Sequence, residues 1–360
     1  MNHPFAPDLA VDDVAAPLRG LWYLAALSTE LRRGRLARRV LFGEPVVLGR
    51  TDAGEPFALR DVCPHRAAPL SAGRIVDGPA VECPYHGWRF RVADGACASV
   101  PALCGDGAPD PSSVRVARYS LHEADGLVWL YYDAEGRDSG GAPPAAPSVN
   151  LGDDARPRLS TVVEAEGPFD EAALGLVDPA HTPVVHKQWW WRDGAPRREK
   201  QKTFEPTALG FRMPAHAPSS NSRIYKMLGG APTTEIEFRL PAFRLERIEN
   251  ARGTIVSLTN MTPGEVGRTR IVHVVYWTSP LLSALSPLLQ RMQNGFLGQD
   301  AAILTEQNKN LSRSAHRPLY LGDPDEPSKW YFLLKRAWLR RDAAAPFVNP
   351  LAPARLRWRT

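Results

Sequence analysis

The stretch from Cys63 to Trp88 reads CPHRAAPLSAGRIVDGPAVECPYHGW. It holds Cys63-Pro64-His65 and Cys83-Pro84-Tyr85-His86, a C-x-H and a C-x-x-H with 17 residues between them. Two thiolates and two imidazoles in that order fit a [2Fe–2S] centre in which the cysteines hold one iron and the histidines the other, the imidazoles raising the reduction potential. A set of two cysteines and two histidines also suits a single zinc ion. Zinc spacings normally pair like ligands, however, whereas each short motif here contributes one Cys and one His, with Pro64 and Pro84 stiffening both loops. Spacing and ligand type therefore favour the iron–sulfur reading. Gly87 and Trp88 fit a tight loop covering the cluster, and the protein reads first as an electron handler.

Outward from this motif, residues 20–132 read as a small all-β domain. Val46-Val47-Leu48 and Phe57-Ala58-Leu59 flank Asp52-Ala53-Gly54, a hairpin signal. Further strands are expected at Ala80–Glu82, Trp88–Arg91 and Leu127–Tyr131. Residues 133–157 shift abruptly to Gly, Ala, Pro and Asp with almost no large apolar residue, as expected of a linker. Residues 158–340 alternate strand-like runs (Leu159–Ala165, Thr234–Leu240, Thr254–Met261, Thr269–Thr278) with helical stretches around Asp170–His186 and from about Leu281 to Leu311. In the second of these, Leu281, Leu285, Leu288, Met292, Phe296 and Leu304 recur at helical spacing as an apolar stripe. An antiparallel sheet with helices packed on it, an α+β domain, is the simplest architecture, and residues 341–360 remain as a basic C-terminal tail.

The 360 residues, 44% of them hydrophobic, suffice for two ordinary domains with sizeable cores. The net charge of +5 is spread over 44 basic and 39 acidic residues with no aromatic-interleaved basic motif, which argues against nucleic acid as a partner. The N-terminal segment carries Asp8, Asp12 and Asp13 and no apolar core, unlike an ordinary secretory signal. The longest apolar stretch, around Pro280–Leu289, is too short to span a bilayer. A cytoplasmic protein without a transmembrane segment is expected. Besides Cys63 and Cys83 the chain has only Cys97 and Cys104, which lack metal-type or redox-type neighbours, and a reducing compartment disfavours a disulfide between them.

A mononuclear iron that activates O2 needs two imidazoles and one carboxylate on one face, with the opposite positions open for oxygen and substrate. Asp178-Pro-Ala-His181-Thr-Pro-Val-Val-His186 supplies two imidazoles. They stand about 140° apart around an ideal helix and converge only if the helix is irregular, which Pro183 between them provides. Histidines near a helix are more often structural, but an electron-carrying cluster upstream requires an acceptor. Asp300 is the candidate third ligand. It lies four residues after Phe296 on the apolar stripe, where an unpaired charge is costly unless a cation compensates it. The competing reading is an ion pair with a neighbouring Arg or Lys. Asp178 fits two roles, an N-cap followed by proline at the first helical position and an acceptor orienting His181 through its second nitrogen. His3, His122, His216, His273 and His316 have no such company and read as surface or core residues.

With both constellations in view, the sequence resembles the catalytic α subunits of the Rieske non-haem iron oxygenases. The resemblance rests on the cluster motif, on D-x-x-H-x-x-x-x-H from Asp178 to His186, and on Gln299-Asp300 with Ile303, Leu304 and Gln307 downstream. Gly175 departs from it, standing where many members carry Asn. The resemblance implies a Rieske [2Fe–2S] domain at Cys63, His65, Cys83 and His86, joined to a helix-grip, lipid-transfer-like catalytic domain with Fe2+ at His181, His186 and Asp300. It implies a head-to-tail homotrimer in which His86 of one subunit reaches Asp178 of the next, the aromatic run Trp189-Trp190-Trp191 fitting either that interface or the core. Neither a G-x-G-x-x-G turn nor a plant-type ferredoxin cysteine set is present, so electrons from NAD(P)H are expected from a separate reductase, with or without a ferredoxin.

In length the chain is more similar to α-only monooxygenases, including the dicamba and vanillate O-demethylases and the steroid- and sterol-acting members, than to ring-dihydroxylating α subunits with β partners. The implied reaction is hydroxylation or oxidative demethylation of a hydrophobic aromatic or sterol-like substrate with O2. Ring dihydroxylation is the alternative, and an electron carrier or lipid-binding protein the non-enzymatic one, although a carrier would need neither Asp300 nor the later histidines. Respiratory Rieske proteins add a disulfide pair to the two cluster loops; Ala68 and Tyr85 stand there instead, so the centre resembles the lower-potential oxygenase type. Segments Ile236–Leu245 and Ile255–Met261 are expected to line a mainly apolar pocket.

Overall fold

The computed structural model describes residues 17–104, 109–133, 143–186, 199–218, 231–314, 318–342 and 345–359. Asp8, Asp12, Asp13, His3, His316 and the run Trp189-Trp190-Trp191 lie outside them. The chain divides into two units, one comprising Arg19–Ala155 with Thr262–Val266 and the other the remainder.

Eleven short strands make up the N-terminal unit among the described residues. β1 (Leu21–Leu27), β10 (Leu121–Ala124) and β11 (Leu127–Tyr132) form one sheet; β2 (Leu36–Leu41), β3 (Glu44–Arg50), β4 (Pro56–Arg60) and β9 (Arg118–Tyr119) a second; β5 (Arg74–Val76), β6 (Ala80–Glu82), β7 (Arg89–Arg91) and β8 (Cys97–Ser99) a third. Turn chemistry sets the registers. Phe42-Gly43 and Asp125-Gly126 both lie at positive φ, as a two-residue hairpin turn demands. The expected Asp52-Ala53-Gly54 turn is present, closed by Thr51 N–H donating to Glu55 O at 3.0 Å. The core of this unit packs Val47, Phe57, Leu59, Leu70, Val81 and Phe90 directly around Cys63 and Cys83.

The expected linker is not free over its second half. Val149 is fully buried, its N–H donates to Asp125 Oδ2 at 2.8 Å, and Trp22 Nε1 donates to Pro144 O at 2.8 Å. A Pro/Ala-rich segment with few side-chain demands can lie extended along a surface when its backbone finds partners there.

The second unit is one eight-stranded antiparallel sheet with helices. Its strands are β12 (Leu159–Glu166), β13 (Glu199–Thr207), β14 (Gly210–His216), β15 (Thr233–Arg239), β16 (Phe243–Asn250), β17 (Gly253–Pro263), β18 (Arg268–Trp277) and β19 (Ala354–Arg359), in the order β12-β18-β17-β16-β15-β14-β13-β19. β19 corrects the expectation of a C-terminal tail: Leu356 and Trp358 are buried and the strand pairs with β13 from Glu199↔Arg359 to Phe204↔Ala354. Alternation of buried Leu356 and Trp358 with exposed arginines is what a sheet-edge strand shows.

Five helices are described here: α1 (Phe169–Val177), α2 (Thr182–Val185), α3 (Pro280–Ala284), α4 (Ser286–Arg313) and α5 (Glu326–Arg340). α4 lies along β12, where Gln290 Nε2 donates to Ser160 O at 3.0 Å and Thr161 Oγ1 to Asn294 Oδ1 at 2.6 Å. The apolar stripe read from the sequence is misphased at its start. Leu285 and Leu288 are exposed, and the buried face runs through Gln293, Leu297, Ala301 and Leu304, because the break before Ser286-Pro287 resets the helix. Asp170 on α1 and Lys335 on α5 form a buried ion pair at 2.7 Å, with Tyr331 Oη donating to the same carboxylate.

Candidate metal centres and cavity

The two cluster loops are copies of one turn. Cys63 N–H donates to Ala68 O at 2.9 Å and Ala67 N–H to Cys63 O at 2.8 Å; Cys83 N–H donates to Trp88 O at 2.8 Å and Gly87 N–H to Cys83 O at 3.1 Å. Each turn closes through a left-handed residue four places after the cysteine, Ala67 (φ 56°) in one and Gly87 (φ 71°) in the other. Both thiols are buried, and burial together with the neighbouring Cys83 thiol raises the pKa of Cys63. His65 and His86 sit half-buried above them with ring centroids 4.6 Å apart, and Trp88 stacks flat on His65 at 4.6 Å. Burial, then the charge of His65, pushes His86 below the usual histidine range, and His65 Nδ1 is buried without a hydrogen-bond partner. Two sequestered thiols and a pair of imidazoles, one with an orphaned ring nitrogen, fit the donor set of a [2Fe–2S] cluster. Cys97 and Cys104 are free, Cys97 within the core.

In the second unit, His181, His186 and Asp300 place ligand atoms within 4.8 Å of one another. The expected irregular helix is two helices. α1 ends at Val177, Asp178 is its extended C-cap, and the single turn of α2 runs between His181 and His186 as its caps. Asp178 is therefore not an N-cap leading into Pro179; its Oδ1 accepts from Ala180 N–H at 2.6 Å in a local turn. Pro179 and Pro183 fragment the helix, and that fragmentation lets residues five apart face one point.

Each imidazole is held from behind. His181 Nδ1 lies 2.9 Å from Asp178 O, with Asp178 Oδ2 at 3.7 Å, and His186 Nδ1 lies 3.3 Å from Gln299 Oε1. Because these oxygens accept, each Nδ1 carries the proton and each Nε2 presents its lone pair to Asp300 Oδ1, at 3.9 Å from His181 and 3.4 Å from His186. His186 Nε2 is buried without a hydrogen-bond partner, and Phe296 stacks on its ring at 3.5 Å. Burial drives His186 down to about 4 and lowers His181, while it raises Asp300 to about 7 against the opposing charge of Arg244. Neutral imidazoles around a carboxyl that burial keeps from ionising fit a divalent metal ion.

The triad opens on a cavity of about 710 Å3 between sheet and helices. Ile236 and Phe238 line it from β15, and Ile255, Ser257, Thr259 and Met261 from β17, so alternate residues of the two expected segments face inward as strand geometry requires. His216 and His273, read as unremarkable, both line this cavity, as do Arg244 and Glu246 of β16. For Arg244 and Glu246 the available signal was their alternation along β16. Gln299 was legible only as the neighbour of Asp300; its hold on His186 comes from the helix geometry.

A cysteine–histidine turn pair in an all-β unit, ahead of a helix-grip sheet carrying two histidines and a carboxylate on one point, defines a two-domain protein of the Rieske type. The chain is a Rieske-domain protein with the fold of Rieske oxygenase α subunits: the sequence model of the Rieske [2Fe–2S] domain matches residues 21–116. It is similar to dicamba O-demethylase, oxygenase component, of Stenotrophomonas maltophilia, 32% identical over 60% of this chain and 61% of that one. It is also similar to chloroplastic chlorophyllide a oxygenase of Chlamydomonas reinhardtii, 36% identical over 48% of this chain and 25% of the relative. The chain thus spans less than two thirds of the length of these relatives. Its fold matches dicamba monooxygenase bound to 3,6-dichlorosalicylic acid, with a TM-score of 0.68 at 22% identity over 90% of this chain and 99% of that one. The match to Pseudomonas putida CBB5 NdmA has a TM-score of 0.68 at 21% identity over 94% and 96%. No helix among the described residues is long and apolar enough to cross a membrane.

Proposed function

We propose that the chain is the terminal component of a Rieske monooxygenase that hydroxylates or oxidatively demethylates a hydrophobic aromatic or sterol-like substrate with O2. The observation that carries this reading is the triad of His181, His186 and Asp300 opening on a largely apolar cavity, in the same chain as a Rieske domain. When bound, Fe2+ at the triad would supply O2 activation and the [2Fe–2S] cluster at Cys63, His65, Cys83 and His86 the electrons. Asp178 and Gln299 hold the two imidazoles in the tautomer that ligates, and the apolar walls exclude water and orient the substrate.

Electrons come from a separate NAD(P)H-dependent reductase, directly or through a ferredoxin. The chain assembles as a homotrimer, in which Asp178 accepts a hydrogen bond from His86 of the partner subunit; half-buried His86, with exposed Tyr85 beside it, suits such a contact. The free cysteines suit a reducing cytoplasm.

His181→Ala should remove the mononuclear iron and turnover while leaving the cluster's visible spectrum intact, and Asp178→Asn should keep both metals but slow electron delivery. Full activity in either variant refutes the assignment. Iron analysis separates the oxygenase, with three irons per chain, from a carrier with two. Product labelling with 18O2 separates one inserted oxygen atom from the two of a ring dioxygenase.

A further inference from the structure

One row of the cavity wall is polar. Arg244 on β16 lies directly opposite Thr259 on β17 in the ladder, and Thr259 Oγ1 is 2.8 Å from His273 Nδ1 on β18. All three line the cavity together with His181 and Asp300, among apolar neighbours such as Ile236, Phe238, Ile255 and Ile271.

A purely structural account would make Arg244 the partner of Glu246 and Thr259 the partner of His273. The first pairing is incomplete. A guanidinium carries five N–H donors, and among the described residues only Nη2 is engaged, by Glu246 Oε2 at 3.2 Å. An ion pair set into an apolar wall adds little stability over apolar side chains of similar volume, so stability alone gives no reason to place a cation there. Glu246 is shared with Thr234, whose Oγ1 donates to Oε1 at 3.4 Å, which leaves the rest of the Arg244 fork available to a ligand. His273 is half-buried, and burial drives its pKa down to about 4, so it adds a neutral hydrogen-bonding edge beside the cation.

We propose that Arg244, flanked by Thr259 and His273, is an anion-binding subsite within the cavity, and that the substrate is a hydrophobic acid whose carboxylate docks there and turns the rest of the molecule toward the triad. A planar fork matched to a planar carboxylate gives two parallel charge-assisted hydrogen bonds, which fix orientation as well as affinity. The word substrate rests on the oxygenase reading; the subsite itself is measurable as binding, without turnover.

The test is calorimetric titration of the full-length, metal-loaded protein with matched probes: 2-naphthoate against 2-naphthylmethanol, and a steroid carboxylate against its methyl ester. At least one acid should bind about tenfold or more tightly than its neutral partner. Arg244→Gln, which retains a donor toward Glu246, should abolish that preference, and Arg244→Lys should retain part of it. Circular dichroism and the visible cluster spectrum check that each variant is folded. Equal affinities within both pairs, or no binding of any probe to the wild type, overturn the subsite, as does a preference that survives in Arg244→Gln. If Arg244→Gln does not fold, Thr259→Val and the wild-type comparison decide in its place. A protein that shows the acid preference yet stays active as His181→Ala would refute the oxygenase reading while leaving the subsite standing.

Discussion

In the cluster loops, all four donors come from residues 63–86, on two copies of the same hydrogen-bonded turn whose cysteines sit in the unit's own core. The triad is assembled otherwise. His181 and His186 flank a single helical turn left by two prolines, and Asp300 arrives from a helix more than a hundred residues later in the chain. A site made of local turns is pre-shaped by the backbone, whereas a site gathered from distant elements is only as well placed as the packing that brings them together. The first plan yields a site that tolerates distant change, the second a site exposed to it.

The largest expected effect tests whether the two sites are separable. Cys83→Ser should abolish the cluster's visible absorbance and leave mononuclear iron bound, and His186→Ala should do the reverse, each read by metal analysis and absorption. Loss of both centres in either variant would break the distinction.

Next comes packing at a distance from the triad. Lys335→Met strands Asp170 as a buried charge beside Tyr331, and removing one partner of such a pair costs about 3–5 kcal/mol. Chemical denaturation should show that loss in the second unit while the cluster spectrum is unchanged.

Gln299→Leu should lower Fe2+ affinity by roughly 10- to 100-fold, the usual consequence of removing a ligand's outer hydrogen bond. In this variant and in the wild type, metal affinity should fall as the pH drops through about 7. Asp300 is raised to about that value in the metal-free site, so below it the metal must displace a proton from the carboxyl. A pH-independent affinity would show that Asp300 is not a ligand.

The smallest effect contrasts the two cluster turns. Gly87→Ala puts a Cβ at φ 71°, 3.2 Å from Pro101 Cγ, and should destabilise by about 1–2 kcal/mol. Ala67→Gly relieves the same strain in the sister turn at the cost of chain entropy, and should stay within about 1 kcal/mol of wild type by thermal melting.

The same contrast explains what the sequence made legible. The cluster ligands were readable because each motif is itself a turn, and the hairpins around them announce themselves through Gly and Asp. Strands with clean apolar runs, such as β12 and β18, were found nearly to the residue. β13, β14 and β16 were not, because Glu199–Thr207 and Phe243–Asn250 interrupt their apolar residues with charges and pair such charges across the sheet surface, as Arg247 does with Glu249 and Arg212 with Glu235. Asp300 could be picked from the late helix, but its phase could not, since the break at Ser286-Pro287 shifts the buried face from Leu288 to Gln293 and Leu297. The polar row across β16, β17 and β18 needed the sheet's register, which no single strand contains.

β19 also has a consequence in time. Its partner β13 is synthesised roughly 150 residues earlier, and at about 5–20 residues per second the ribosome takes on the order of ten to thirty seconds to deliver the missing strand. Through that interval β13 is an open sheet edge, the kind of surface on which nascent chains pair wrongly. Lys200 and Lys202, alternating along it, act as guards against such pairing until Leu356 and Trp358 arrive to close the sheet.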